Sequence, residues 1–221
     1  MKNVLILIFV FSITAIGHAQ QAGQFTIGGR LGPVFGVHNA VDLESSIIYG
    51  AGTFLRESNV VFNLNFVLYG SFAILDNFSV QAELNFMIGQ GYELRMSIPE
   101  FGSGRGRVTY TSLDMPILLR YNFLEFPQAF GVQSGPHISL PFGRGELSGG
   151  GFREQFEIDT FVTFGFTAGF FSGTPMGPGR IVGDMRFIVD LNAVEARIFE
   201  RTMGIMRRRA FLLSIGYEIS F

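Results

Sequence analysis

Eight charged residues stand where alternation would turn them away from neighbouring apolar side chains: Arg30, Glu83, Asp114, Arg120, Asp184, Arg186, Asp190 and Glu218. Acids and bases are mixed along the chain. A charge removed from water is stable only with a partner, so such a set would pair across an enclosed space. Two kinds of chemistry are open to it. One is a narrow polar or proton path; the other is a salt-bridged plug, which an eight-stranded barrel favours because its interior is just wide enough for side chains.

Other constellations carry less. His137 lies near Ser134 and Ser139, but no nucleophile motif accompanies it, and only His38 and His137 remain beyond the first twenty residues. Two histidines supply neither a convincing triad nor a metal cluster, and the absence of cysteine removes thiol ligands and disulfides. No enzyme activity, cofactor or metal is expected. Gly102-Ser103-Gly104-Arg105-Gly106-Arg107 has the glycine content of a phosphate-cradling loop, but it lacks the Gly-Lys-Ser/Thr ending and reads as an outer loop. Arg207, Arg208 and Arg209 sit where a long loop enters the last strand, and could meet anionic lipid head groups or form a solvated rim.

The elements that would hold these residues show period-two alternation. From Phe211 to Phe221 the odd positions are Phe, Leu, Ile, Tyr, Ile and Phe, while Ser214, Gly216, Glu218 and Ser220 fall between them. The same pattern covers residues 78–88, 113–123, 62–68 and 181–191, with Val67 and Leu118 as apolar exceptions on the polar face. Residues 24–37, 130–142 and 158–171 add three strands with glycine or small polar residues on the inner side. Pro33, Pro136 and Pro141 should mark a rim or bulge, since proline cannot donate to a strand ladder. The fold class is all-β: an eight-stranded antiparallel up-and-down transmembrane barrel.

Composition agrees. Charged residues are 15% and aromatic ones 14% of 221, with 26 Phe and no Trp, so apolar side chains outnumber what a small water-soluble core can hide. Beyond the N-terminus no apolar run is long enough for a helical span. The start, Met1-Lys2-Asn3, an apolar run to Ile16 and Gly17-His18-Ala19, reads as a secretory signal peptide over residues 1–19, leaving 20–221 as one barrel domain. Without Lys2, the sole lysine, 15 Arg face 18 Asp plus Glu, a balance of 15 − 18 = −3 that predicts no nucleic-acid partner.

Connections alternate in length. About 22 residues follow the first strand, and long segments surround 102–106, 143–155 and 193–207, whereas 75–77 and 124–128 are short. Residues 172–179 form a longer turn with Pro175 and Pro178. Both mature ends then fall on the short-turn, periplasmic side.

Residues Tyr110 to Tyr121, with Leu113-Asp114-Met115-Pro116-Ile117-Leu118-Leu119-Arg120 at their centre, followed by Gly135-Pro136, resemble the central hairpin of the PorT-like outer-membrane barrel family. Ala82-Glu83-Leu84 and Gly89-Gln90-Gly91 resemble its preceding strand. The C-terminal Tyr217, Ile219 and Phe221 are similar to the signal read by the barrel-insertion machinery. The resemblance implies a porin-like barrel of diderm bacteria, located in the outer membrane, without fixing an activity.

The functional expectation is a structural or surface-interaction barrel. Its partners would be outer-membrane lipid, lipopolysaccharide or another outer-leaflet lipid, the insertion machinery, and an extracellular ligand met by the long loops. The alternatives are small-solute transport, an accessory role in a secretion system, and a periplasmic lipocalin-like ligand binder, in which the apolar face would point inward.

Overall fold

The computed structural model describes residues 22–40, 53–57, 61–98, 102–124, 129–149, 152–157, 162–192, 194–198 and 201–221. Eight long strands form the wall: β1 (Phe25–Ala40), β3 (Val61–Leu75), β4 (Phe78–Ile98), β5 (Gly102–Leu124), β6 (Ala129–Gly149), β8 (Thr163–Met176), β9 (Gly179–Asp190) and β11 (Arg201–Ser220). Each pairs antiparallel with the next, and β1 pairs with β11 from Thr26↔Ser220 to Ala40↔Met206, closing the ring. Closure leaves the wall without an edge, the condition a sheet must meet where no water can satisfy its amides.

Alternation decides which face is which. On β11, Leu213 and Ile215 are 37% and 59% exposed, while Leu212 and Ser214 between them are 1% and 8%. The apolar series faces outward on every long strand, with Leu31, Phe66, Leu84, Leu119, Phe166 and Phe187 among its members. The polar series points into the lumen. That is the reverse of a soluble ligand-binding barrel, whose apolar side chains line the inside. On β11 the outward series runs from Phe211 to Phe221, and at about 3.3 Å per residue and a tilt of about 40° it spans roughly 25 Å, the height of a membrane-spanning band.

All eight expected strands are present, and several are longer than the alternation indicates. Residues 102–106 are strand, not loop: Gly102 to Arg107 pair with Ile98 to Glu93. Three short strands continue the sheet at the same end: β2 (Thr53–Glu57) on β4, β7 (Phe152–Glu157) on β6 and β10 (Val194–Ile198) on β11. Where they are described, the long connections are largely paired backbone. The turn expected over 172–179 contracts to Gly177-Pro178, with Met176 opposite Gly179. Residues 1–21, including the expected signal peptide, and 125–128 lie outside the described residues.

Pro141 lies beside a register shift in the β5–β6 ladder, as expected, whereas Pro33 and Pro136 depart from expectation. Pro33, Pro136 and Pro141 lie within strands. At the first two the ladder is interrupted locally: β1–β11 pairing passes from Leu31↔Ile215 to Val34↔Leu212, and β5–β6 pairing from Pro116↔His137 to Leu119↔Ser134. A proline removes its own donor, and the continuous ladder on the other side, β1–β3 at Pro33 and β6–β8 at Pro136, holds the strand in register.

One bulge changes the lumen's composition. Gly89, at φ +76°, occupies a conformation that side chains other than glycine rarely adopt, and the β4–β5 register shifts between Met87 and Gln90. Inward positions on β4 run through odd numbers to Met87 and resume at Gln90. Without the bulge Gln90 would face outward.

Close approach matters at Gly169. A Cβ there would collide with the Met185 carbonyl and lie 2.8 Å from Arg186 Cα, both backbone atoms of β9, whereas at Gly173 on the same face the nearest atom is 3.6 Å away. Gly169→Ala should therefore lower folding stability by about 1–3 kcal/mol, the range for overpacking, and Gly173→Ala should have little effect. Denaturant titration in detergent micelles, with loss of the heat-modifiable band as the readout, checks both.

Candidate functional site: a charge network inside the barrel

The eight charged residues singled out above are all buried in the lumen, none more than 5% exposed. The strands deliver them as three groups along the axis, because inward positions two residues apart on neighbouring strands fall at successive levels.

The central group joins β1, β4 and β9. Arg186 grips Glu83 with both terminal nitrogens, Nη1 to Oε2 at 2.6 Å and Nη2 to Oε1 at 2.7 Å, and its Nε lies 2.7 Å from Asp184 Oδ1. Arg30 pairs with Glu83 and donates to Asp184 Oδ2 at 2.6 Å. Gln133 donates to the same Asp184 oxygen at 2.5 Å, and Gln81 donates to Glu83. Two guanidinium groups thus meet two carboxylates, with amides taking remaining lone pairs. The planar fork of arginine matches a carboxylate in this two-point way; an ammonium would not.

Toward the long-connection end, β5, β6, β9 and β11 contribute Asp114, His137, Asp190 and Arg208. Arg208 Nη2 lies 2.8 Å from Asp114 Oδ2 and 3.0 Å from Asp190 Oδ1. His137 Nε2 is 2.9 Å from Asp190 Oδ1, Ser139 donates to Asp114 at 2.5 Å, and Gln90 accepts from Arg208 at 3.1 Å. An apolar layer of Val34, Met87, Ile188, Ala210 and Leu212 forms the lumen's buried hydrophobic cluster.

Toward the short-turn end, Glu218 accepts from Tyr69 at 2.7 Å and pairs with Arg180. Arg120 has no carboxylate within ion-pair distance among the described residues. Its Nη1 donates to Gln81 at 2.6 Å and its guanidinium lies 3.8 Å from the centre of the Phe171 ring. Cation–π contact with a desolvated ring compensates part of the lost hydration. Counting all three groups, Arg30, Arg120, Arg180, Arg186 and Arg208 balance Glu83, Asp114, Asp184, Asp190 and Glu218.

Arg208 corrects the expectation for the triple-arginine segment. It is 2% exposed and belongs to the lumen, while Arg207 and Arg209 face outward at the rim. Its parity matches Ser214 and Glu218, so carrying the alternation back along β11 places it inside. Gln90 had no such signal, because the Gly89 bulge breaks the period. Tyr69, Gln81 and Gln133 sit on the expected polar face without a charge to draw notice.

His137 and Ser134 are on opposite faces: His137 is buried and Ser134 exposed. Ser139 does point inward, toward Asp114, so the structure assembles no Ser-His pair from these residues. The side chain of His38 and those of residues 102–107 lie outside the described residues. Among the described residues, no group of three or more His, Asp or Glu could hold a metal ion. Tyr217, Ile219 and Phe221 all face outward at the short-turn end, where the Phe221 amide donates to the Phe25 carbonyl at 2.8 Å.

No family model matches the chain, and no curated protein matches it. Solved structures do. The outer-membrane protein OprG from Pseudomonas aeruginosa superposes with a TM-score of 0.51 at 11% identity, covering 92% of this chain and 98% of that one. Ail, the attachment invasion locus protein of Yersinia pestis, gives 0.42 at 12% identity, over 90% and 100%. The fold is that of a small outer-membrane barrel. At such identities the likeness extends to the fold and no further, so the lumen's residues must speak for themselves.

Proposed function

We propose that this chain is an integral barrel of the bacterial outer membrane whose lumen is closed by paired charges, and that it acts as a non-enzymatic structural or surface-interaction protein. The observation carrying this reading is the lumen network: five guanidinium groups and five carboxylates, all but Arg180 almost fully buried, joined across strands by direct contacts. A solvated pore would leave such groups exposed to water; here they are packed against one another. The work is then done by the wall and the ends. Short turns and both ends of the described barrel lie on the periplasmic side, and the sheet extension formed with β2, β7 and β10 projects outward to meet a ligand or neighbouring protein. The outward Tyr217, Ile219 and Phe221 serve the insertion machinery.

Planar-bilayer recording from purified protein tests the closed lumen. The expected result is no reproducible unitary current; steady openings abolished by Arg186→Met would refute closure and assign the network to a conduction path.

A second reading, passage of small apolar solutes, rests on a cleft of about 590 Å3 in the outer wall, lined by Leu31, Phe170, Met185 and Leu213 and also by the inward-facing Asp184 and Ser214. Uptake of small hydrocarbons by proteoliposomes, absent from protein-free vesicles, would favour it. The PorT-like resemblance adds an accessory role in secretion, for which the readout is loss of secreted proteins from a deletion strain.

A further inference from the structure

The outer wall is almost uncharged. Among the residues whose side chains are described, its outward charges are Asp76, in the two-residue turn between β3 and β4, and Arg207 and Arg209 at the opposite end. Both arginines are exposed, and neither has an ion-pair partner among the described residues. Every described arginine of the lumen, by contrast, is held by a carboxylate, an amide or a ring.

Directly below this pair lies a row of four aromatic rings on consecutive strands. Phe211 pairs in register with Phe187 on one side and Phe35 on the other, and Phe35 with Phe62. Ring centroids are 5.0 Å apart for Phe187 and Phe211, 6.5 Å for Phe211 and Phe35, and 5.7 Å for Phe35 and Phe62. Arg209 is one outward step above Phe211 and Arg207 two, so at about 3.3 Å per residue and a tilt of about 40° they stand roughly 5 and 10 Å beyond the rings. Rings at the edge of the hydrocarbon and guanidinium groups just above it match a lipid whose acyl chains end in an anionic head.

We propose that Arg207 and Arg209, with the Phe187–Phe211–Phe35–Phe62 row, form a binding site for a phosphorylated glycolipid of the outer leaflet. Arginine binds phosphate oxygens through two parallel N–H bonds, and two such forks about 7 Å apart along one strand suit a head group bearing more than one phosphate. A single-headed phospholipid such as phosphatidylglycerol offers one. The aromatic row supplies a flat apolar platform for the upper part of the acyl chains. The assignment to the outer leaflet rests on the orientation proposed above; the binding chemistry does not.

The test uses the full barrel reconstituted in phosphatidylcholine bilayers containing bisphosphoryl lipid A, its dephosphorylated form, or phosphatidylglycerol. Wild type should prefer bisphosphoryl lipid A to both others. R207Q/R209Q should weaken that binding about thirtyfold, each arginine near an anionic surface contributing about fivefold. R207K/R209K should recover part of the loss. Heat modifiability of each variant shows that the barrel is folded. Unchanged lipid A binding by R207Q/R209Q, or equal binding of phosphatidylglycerol by wild type, would overturn the proposal. An error in orientation would appear separately, as protection of the long-connection end from protease in intact cells, with the affinities in defined bilayers unaltered.

Discussion

Replacing Glu83 with glutamine should cost the folded barrel about 3–5 kcal/mol, the loss typical of removing one partner from a buried ion pair. Glu83 is the hub of the central group: both terminal nitrogens of Arg186 bind it, Arg30 pairs with it, and Gln81 donates to it. The amide keeps the volume and removes the charge, leaving Arg30 and Arg186 to share Asp184 alone. Two guanidinium groups would then face one carboxylate in a space from which solvent is excluded. Denaturant unfolding in lipid vesicles should show the loss in the midpoint of the transition. A compensated variant, Glu83→Leu with Arg30→Met, removes one charge of each sign and leaves the Arg186–Asp184 pair intact; it should regain most of the stability. Wild-type stability in Glu83→Gln would mean that the network holds nothing together.

The second large effect belongs to the other face. Ile215 is 59% exposed at the middle of the outward series on β11, so Ile215→Arg should destabilise a bilayer-embedded barrel by about 2–4 kcal/mol. The penalty depends on depth. The same substitution at Tyr217 or Ile219, closer to the short-turn end, should cost progressively less as the side chain reaches the head groups. In a water-soluble barrel all three would be nearly silent, since an arginine on a solvated surface loses no hydration. Refolding yield and unfolding midpoint in vesicles, compared across the three positions, give the gradient.

The wall was readable from the sequence because lipid imposes a rule on every second residue. Where one face meets hydrocarbon and the other a packed lumen, as from Phe211 to Phe221 or Phe78 to Ile88, the period is visible in residue types alone. The rule ends where the strands leave the membrane. There the alternation fades, and Gly102 to Arg107 read as a loop although their backbone continues the β4–β5 ladder. Parity also located the lumen charges, but could not say which of them touch. Glu83 and Arg186 are 103 positions apart, and only closure of the barrel through β1 and β11 brings β4 and β9 across from one another. Gln90 was hidden by a single glycine that shifts the phase. Arg208 was legible in principle; its two exposed neighbours made the segment read as a surface run.

The central claim is that the apolar face of the wall meets lipid and the charged face is enclosed. The chain contains no cysteine, so single cysteines can be placed without removing any native thiol. Variants at Leu213, Ser214 and Ile215, labelled with a small fluorescent maleimide while unfolded in water, where the thiolate is available, and then folded into vesicles with brominated acyl chains, give the direct measurement. Leu213→Cys and Ile215→Cys should fold with their labels quenched, and the label at Ser214→Cys between them should block folding, because the packed lumen has no room for it. Folding of labelled Ser214→Cys with a quenched label, and unquenched labels at Leu213 and Ile215, would turn the barrel inside out and contradict the account.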